Sequence, residues 1–504
     1  MSKKVLVWID SNFMLFCLSY FLQEKSDYEF YAIIDITNKT KDFFEKQNLV
    51  NFKKVWYYFD HIQPNKNPDI DYLSNFEKKY NVNLWKLAIN ERIFYRFNKF
   101  HNFSSDEILS IIYQECKLFE TIFDEVKPDY HFTKETILHK DQLFCEMCKS
   151  KKIPILMTYM AKSLYKCVIS QEAQQFDNLH EYENFQGKNR SFSSLREYLK
   201  QTNNFSKLQN YTNTFLNSKF GKLTSAKDFL LSQNDTLKTH YTYFGRTKFR
   251  VITHELISLI KKKYREIFIE NNLLKKVDFN AKFVYFPLQM DQERNLLIAA
   301  PFYTNQIEII KNIAKSLPVD YKLYVKEHSA QSIRGWRKLS EYEEIMKIPN
   351  VSLLHHSVSN EKLFQNCSLV VTIGGSPGLE STFYAKPSIV FIKINYSILP
   401  SVTQVKSIDE LPKVIRQSLK IHVNSNDLDK YVSFLEENSV DFDWIAYQQN
   451  EFNTFFHGGN LIDVMISEEK MKSFIDNNKT MFESLTEGYI KKIKWFEKNE
   501  NNKN

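Results

Sequence analysis

The chain has 504 residues, 43% of them hydrophobic and 25% charged, which is enough apolar material for about two globular domains. Its net charge of +8 suits an anionic ligand or acidic lipids and is too small to indicate a nucleic-acid-binding protein. Six cysteines in so long a chain do not form a disulfide framework. Asp10 interrupts the first apolar segment and no stretch reaches 18 apolar residues, so we expect a cytoplasmic protein without a membrane span.

In the first part of the chain, short apolar runs alternate with amphipathic stretches. We predict strands at 5–9, 29–35, 54–62, just after Pro128 and at 153–158, and helices at 12–23, 38–47, 72–97, 106–126 and 139–150. Such alternation predicts parallel βαβ units. Residues 171–275 are richer in polar and aromatic side chains, and they predict a helical insertion or connector between two domains.

The alternation begins again in the second part of the chain. Strands are predicted at 282–288, 321–328, 350–355, 368–375 and 386–392. The predicted fold class is therefore α/β, with Rossmann-like domains at 1–170 and 276–425 that face a cleft. A helical segment with a disordered tail is predicted at 426–504.

The strongest local signal is a glycine-serine turn within residues 370–391. An apolar strand ends at Gly374 and Gly375, where the backbone can turn tightly and approach a ligand. Ser376 is a good N-cap, and Pro377 suits the first helical position. A helix N-terminus of this kind is a natural seat for a phosphate, although a well-capped helix without a ligand has the same pattern. Further candidates for phosphate or ribose contacts lie one turn on, at Glu380, Ser381 and Thr382.

Two other groups of polar residues follow predicted strands, where they would face a ligand crevice. Lys326 and His328 end the strand at 321–328, and their spacing places both side chains on one side. Gln289 and Glu293 follow the strand at 282–288 and are candidates for contacts with a ribose or a base. A structural hydrogen bond is the alternative for His328.

Together these segments resemble the capsule polysaccharide biosynthesis family, which includes bacterial Kdo transferases. The resemblance covers a quarter to a third of the chain, from about 282 to 414, and the segments WIDSNFM (8–14) and DEVKPDYHF (124–132) fit more loosely. It rests on PLQ…E (287–293), QxxIIK (306–311), LP (317–318), VKEH (325–328), NVSLL (350–354), VVTIGGSPGLES (370–381), YAKPSIVF (384–391) and LPSVTQVKSIDELP (399–412).

The resemblance implies a GT-B glycosyltransferase that needs no metal or other cofactor and holds its nucleotide-sugar donor mainly in the second domain. Lys326 and His328 match the family's Lys/His motif, which implies contact with a CMP-linked donor. Ser376, Ser381 and Thr382 match its phosphate turn. The chain departs from the family pattern at Ser329, where the family usually has proline, and at Pro377, where it has a small residue. These departures concern the identity of the donor more than the fold.

Sugar transfer needs a carboxylate that acts as a base or a nucleophile. Asp10 follows the first strand, and Glu91 lies in the segment NERIFYRFN. Both are candidates, with a turn-capping role for Asp10 and a helix salt bridge for Glu91 as the alternatives. Asp69 and Asp71 resemble a DxD metal motif, but their position before a helix favours a cap.

The favoured function is a glycosyltransferase that uses a nucleotide-sugar donor and a glycan or glycolipid acceptor. The basic run at 261–265 indicates possible peripheral contact with an acidic membrane surface, against the alternative of a solvated helix face. Two other functions stay open, namely a polyol-phosphate transferase of the teichoic-acid type and a non-catalytic sugar-nucleotide-binding protein.

Overall fold

The computed structural model describes residues 2–36, 38–63, 66–97, 99–162, 164–202, 240–332, 335–459 and 463–501. The chain forms two compact units. The first consists of Met1–Asp177, Asn203–Lys248 and Asn438–Asn504, and the second of Asn178–Thr202 and Phe249–Glu437. Each is built around its own sheet with flanking helices, so the predicted α/β class is confirmed.

The sheet of the first unit has seven strands in the order β13-β6-β5-β4-β1-β2-β3. Strands β1 to β5 are parallel, while β6 and β13 are antiparallel additions at one edge. The strands are β1 Lys4–Ile9, β2 Glu29–Ile34, β3 Phe52–Tyr57, β4 Tyr130–Lys134, β5 Ile155–Met160, β6 Cys167–Ser170 and β13 Ser439–Val440. The helices are Met14–Lys25, Asn38–Lys46, Ile70–Tyr80, Leu84–Asn90, Ser105–Val126, His139–Ser150, Trp444–Phe455, Glu468–Asn477 and Lys479–Asn501.

Strand β1 is buried on both faces, which explains its unbroken apolar sequence. Val5 and Val7 point into one hydrophobic core, and Leu6 and Trp8 point into the other, as the two-residue period of a strand requires. Residues from the end of the chain, including Phe482, complete the first of these cores. The C-terminal segment therefore belongs to the first unit from residue 438 on. Its helix continues to Asn501, and the end of the predicted disordered tail lies outside the described residues.

The second unit contains a six-stranded, fully parallel sheet in the order β12-β11-β10-β7-β8-β9. Its strands are β7 Phe283–Pro287, β8 Lys322–Lys326, β9 Val351–Leu354, β10 Leu369–Thr372, β11 Ser388–Val390 and β12 Val402–Gln404. The helices are Leu179–Tyr182, Phe192–Thr202, Lys248–Asn272, Arg294–Leu297, Gln306–Ser316, Leu339–Met346, Asn360–Asn366, Pro377–Glu380, Leu411–Ser418 and Ser425–Glu437. Part of the predicted connector, residues 203–239, lies outside the described residues.

Both sheets reverse their strand order beside a central strand, as doubly wound sheets do. In the first sheet the reversal lies between β1 and β4, and in the second between β7 and β10. Ligands of such sheets bind outside the carboxyl ends of the strands at this point. The two Rossmann-like sheets are thus confirmed, whereas the predicted domain bounds and cleft stay predictions.

Cys145 and Cys148, which form a CxxC pattern, are buried free thiols within the helix His139–Ser150. The cap predicted at Asp69 and Asp71 is confirmed for Asp69. Asp69 is the N-cap of the helix Ile70–Tyr80, where its side chain accepts a hydrogen bond from the Tyr72 N–H at 2.9 Å. Among the described residues, no helix is both long enough and apolar enough to cross a membrane.

Candidate functional site

Lys326 lies at the carboxyl end of β8 with only 7% of its surface exposed. Its ammonium donates a hydrogen bond to Asn360 Oδ1 at 2.5 Å, and the Tyr285 hydroxyl donates to the same oxygen at 3.2 Å. Burial lowers the pKa of Lys326 to about 8, although the carboxylate of Glu380 acts in the opposite direction. The ammonium is therefore still mainly charged at pH 7, and an anion at this edge of the sheet would stabilise it.

His328 follows two residues later and is partly buried. Its Nδ1 accepts a hydrogen bond from the Ala330 N–H at 3.2 Å, which leaves the proton of the neutral ring on Nε2. Burial, together with the charges of Lys326 and Arg337, lowers the pKa of His328 to about 4. At neutral pH this imidazole is a neutral hydrogen-bond donor rather than a second cation.

A buried ion-pair network supports the loops that follow β7 and β8. The Arg337 guanidinium lies 2.8 Å from Glu327 Oε2 and 2.5 Å from Asp291 Oδ1, and it donates to the Gln289 carbonyl at 2.5 Å. The Tyr342 hydroxyl donates to Glu327 Oε2 at 2.8 Å. Since Glu327 stands between Lys326 and His328, this network fixes the backbone that carries both. Sequence analysis did not find it, because Arg337 belongs to no recognisable motif.

Gln289 supports the glycine-serine turn instead of facing a ligand. With its amide oxygen towards the turn, the side chain accepts hydrogen bonds from the N–H groups of Gly375 at 2.8 Å and Gly374 at 3.2 Å. The Thr372 hydroxyl also accepts from the Gly375 N–H, at 3.2 Å. A β-carbon on Gly375 would lie 2.9 Å from this side-chain amide atom of Gln289. The missing side chain of Gly375 therefore leaves room for the buried side chain of Gln289. The predicted contact of Gln289 with a ribose or base is corrected, because its amide group bonds to the turn.

The helix after this turn is shorter than predicted. Pro377–Glu380 forms one α-helical turn, with Pro377 in the first turn as expected, and Ser381–Tyr384 continues it as a 3-10 helix. Ser376 stands at the predicted N-cap position, but its backbone is helical and its side chain makes no cap hydrogen bond; its hydroxyl donates to Glu380 Oε1 at 2.6 Å. So short a helix provides only a weak dipole for a phosphate.

Ser381 and Thr382 are fully buried. Their hydroxyls donate to the carbonyls of Gly378 at 3.1 Å and Leu379 at 2.6 Å. Both side chains close the turn internally, which corrects the predicted donor contacts. Glu293 is exposed just before the helix Arg294–Leu297, and its role stays a prediction.

In the first unit, Asp10 lies at the point where the strand order reverses. Its Oδ2 lies 2.8 Å from the ammonium of Lys134, the last residue of the adjacent β4, and its Oδ1 accepts from the Asn12 N–H at 2.9 Å. Burial tends to lower the pKa of Lys134, but Asp10 outweighs this effect and raises the pKa. The Asp10 side chain keeps 20% exposure, so solvent and ligands can reach it.

Further ionisable groups surround this pair. Lys140 lies 2.6 Å from Asp35 Oδ1, just after β2. Glu451 is completely buried, and its Oε1 accepts from the Phe13 N–H and the Tyr447 hydroxyl, both at 2.6 Å. Burial raises the pKa of Glu451 to about 8, so this carboxyl group is protonated at neutral pH. A lysine at a strand end, such as Lys134, could have been recognised from the sequence. Glu451 could not, because it is 438 residues away from its hydrogen-bond partner Phe13 along the chain.

Glu91 belongs to a buried triad with His139 and Glu115. Its Oε2 lies 2.9 Å from His139 Nδ1, its Oε1 accepts from the Ile93 N–H at 3.0 Å, and His139 Nε2 lies 2.9 Å from Glu115. Burial tends to lower the pKa of His139, but Glu115 and Glu91 raise it to about 10. Glu91 is only 3% exposed. A catalytic role for Glu91 stays a prediction. In the structure, the Glu91 carboxylate compensates the charge of the buried His139 imidazolium.

One group among the described residues has the donor atoms for a metal ion. Glu270, His355 and His356 each place one ligand atom within 4.8 Å of the others. Histidine nitrogens and a carboxylate oxygen are suitable zinc ligands. His355 Nε2 contacts Glu270 Oε1 at 3.0 Å, so two of the three residues are already hydrogen-bonded to each other.

Residues 193–425 match the family model described as "Capsule polysaccharide biosynthesis protein". This segment contains all six strands of the second sheet, as well as Lys326, His328 and the glycine-serine turn. The resemblance found in the sequence is therefore confirmed for this part of the chain. No curated protein matches the chain.

The chain is also similar to solved α/β enzymes, at a level too low to assign a reaction or substrate. A UDP-GlcNAc 2-epimerase from Neisseria meningitidis is 12% identical over 86% of this chain and 98% of its own, with a TM-score of 0.26. The trehalose-6-phosphate phosphatase N-terminal domain of Candida albicans is 12% identical over 90% and 97%, with a TM-score of 0.30. The epimerase from Methanocaldococcus jannaschii is 11% identical over 87% and 100%, with a TM-score of 0.24.

Proposed function

We propose that this protein is a GT-B-type glycosyltransferase of surface polysaccharide synthesis, which moves a sugar from a nucleotide donor to a glycan acceptor. The observation that carries the proposal is the position of Lys326 and His328. Lys326 is the last residue of the buried strand β8, and His328 follows two residues later. Strand β8 is the neighbour of β7, at which the Rossmann-like sheet reverses, and it lies within the segment that matches the capsule polysaccharide biosynthesis family.

The second unit binds the donor through its phosphates in this proposal. The Lys326 ammonium and the Nε2–H of His328 donate to phosphate oxygens, and they stabilise the charge that develops on the leaving nucleotide in the transition state. The Ser376 hydroxyl and the Glu380 carboxylate, which lie 2.6 Å apart, are placed to exchange this contact for one with a phosphate and a ribose hydroxyl. A CMP-linked donor is the first candidate because of the family resemblance.

The first unit holds the acceptor, and Asp10 is the proposed general base for its hydroxyl. A base must be reachable by the acceptor and held in one orientation. Asp10 meets both conditions, since it is partly exposed and fixed by Lys134 and the Asn12 N–H. We infer that the acceptor is a lipid-linked glycan, that the enzyme works at the cytoplasmic face of a membrane, and that transfer needs no metal ion.

Nucleotide titration of the purified protein tests the donor site. CMP, CDP, UDP and GDP are compared by calorimetry for the wild type, Lys326→Met and His328→Ala, with Lys322→Met as the matched control. Lys322 lies at the opposite, exposed end of the same strand. We expect selective binding that both site variants lose and the control keeps. Binding of no nucleotide would refute the proposal, and a phosphodiester in the product would indicate polyol-phosphate transfer instead.

A further inference from the structure

The helix Lys248–Asn272 exposes an unusual amount of apolar surface. Only Ile269 of its 25 residues is buried. Phe249 is 76% exposed, Ile260 72% and Tyr264 64%. Its other exposed large apolar residues are Ile252, Leu256, Ile257, Leu259 and Ile267. Apolar patches of this kind on a protein surface mark interaction sites.

These residues share one side of the helix. At about 100° per residue, the eight side chains fall within an arc of about 160°. We call this surface the apolar arc. The opposite side attaches the helix to the second unit, where Ile269 enters the hydrophobic core and Arg265 donates to the Gly335 carbonyl at 2.9 Å. The apolar arc therefore points away from the unit that carries the helix.

Basic residues border the apolar arc. Arg250 and Lys261 project along one border, and Lys263 lies within the arc. The other border carries Lys248 together with Glu255 and Glu266, and Glu266 contacts Lys263 at 3.0 Å. The helix carries six Lys or Arg and three Glu, which gives it a net charge of +3. Long basic side chains beside an apolar face can extend to lipid phosphates while the apolar groups enter the acyl region. This charge pattern favours an anionic lipid surface over an apolar protein partner.

We propose that the apolar arc and its basic borders bind the interfacial region of a bilayer that contains anionic lipids. The helix would lie flat on the surface, since the described residues contain no helix suited to crossing a membrane. A helix of 25 residues provides about 37 Å of contact along its axis. The inference deepens the proposed function and rests on it for one point. The proposed acceptor is lipid-linked, so the enzyme would meet it at a membrane surface.

The experiment is flotation of the full-length protein with vesicles of equal parts phosphatidylglycerol and phosphatidylcholine, without donor or acceptor. The test variant is the double substitution Leu256→Glu and Ile260→Glu, which changes exposed side chains only. Val319→Glu is the matched control, because Val319 is a fully exposed apolar residue elsewhere on the second unit. We expect the double variant to partition onto vesicles at least tenfold less than the wild type, and the control to match the wild type.

Several results would overturn the inference: no wild-type binding, equal binding to pure phosphatidylcholine vesicles, or full binding by the double variant. A wild-type dimer that the double variant converts to monomers, without a change in flotation, would instead assign the apolar arc to a second copy of the chain. Nucleotide titration of the same variants separates the two proposals. The double variant should bind nucleotide with wild-type affinity. A failure of lipid binding would therefore leave the proposed donor site intact, and a failure of nucleotide binding would leave the lipid-binding surface intact.

Discussion

If Lys326 binds the donor phosphate as an ammonium, donor affinity must fall as pH rises through the pKa of this lysine. Burial lowers that pKa to about 8, so about 90% of the free protein carries the charge at pH 7 and about 10% at pH 9. His328 stays neutral throughout this range, because its pKa lies near 4. The nucleotide phosphate stays ionised, because its second pKa is about 6.

The expected size of the effect follows from these fractions. If only the charged form binds, the Kd rises about tenfold between pH 7 and pH 9, which corresponds to about 1.4 kcal/mol. Lys326→Met removes a charged hydrogen bond worth about 1.5–3 kcal/mol. It should therefore weaken binding about tenfold to 150-fold at pH 7 and leave a Kd that no longer depends on pH in this range.

Calorimetric titration with CDP at half-unit steps of pH measures both effects. Lys322→Met, at the exposed start of the same strand, should keep the wild-type affinity and pH profile. A wild-type Kd that is constant from pH 7 to pH 9 would refute the reasoning, as would a Lys326→Met variant with wild-type affinity at pH 7.

Three further predictions concern the first unit. Burial raises the pKa of Glu451 to about 8 from 4.5, so only the unfolded chain releases this proton between those values. The wild-type free energy of unfolding should therefore fall by up to about 4–5 kcal/mol as pH rises through that range, and Glu451→Gln should flatten the slope in urea titrations. His139→Gln leaves two buried carboxylates without their cation, and it should lower the free energy of unfolding at pH 7 by about 3–5 kcal/mol. A loss below about 1 kcal/mol would contradict the ion-pair assignment. Asp10→Asn should slow transfer about 10²–10⁴-fold with donor Kd unchanged, in product assays beside calorimetry; an unchanged rate would exclude Asp10 as the base.

Strands and strand-end residues could be predicted because they depend on local pattern. Strand β1 contains a run of five apolar residues and strand β8 a run of three, and polar residues follow each run. The pattern therefore predicts correctly that Asp10, Lys326 and His328 lie at or just after the carboxyl ends of strands. Strand β6, with four residues, and β13, with two, are too short to give a pattern. They were missed for that reason.

Side-chain orientation could not be predicted, because it depends on partners that are distant along the chain. Gln289 supports a turn that begins 85 residues further on, at Gly374, and Glu91 accepts hydrogen bonds from His139, 48 residues away. Ser381 and Thr382 have the hydroxyls that a phosphate site needs, yet the 3-10 turn directs both to main-chain carbonyls. The residue types and their spacing therefore indicate which chemical groups are present, but they do not determine where each side chain points.

Three buried lysines at or near strand ends differ in the partner that each ammonium contacts. Lys134 and Lys140 each contact a carboxylate, at 2.8 and 2.6 Å. Lys326 is as deeply buried, but its hydrogen bond is to the neutral amide of Asn360, and its pKa falls where that of Lys134 rises. A buried ammonium whose hydrogen-bond acceptor is a neutral amide is costly in the free protein. A phosphate brought to Lys326 would place negative charge in direct contact with this ammonium, and for this reason we propose the donor site in the second unit rather than in the cluster of ionisable groups around Asp10.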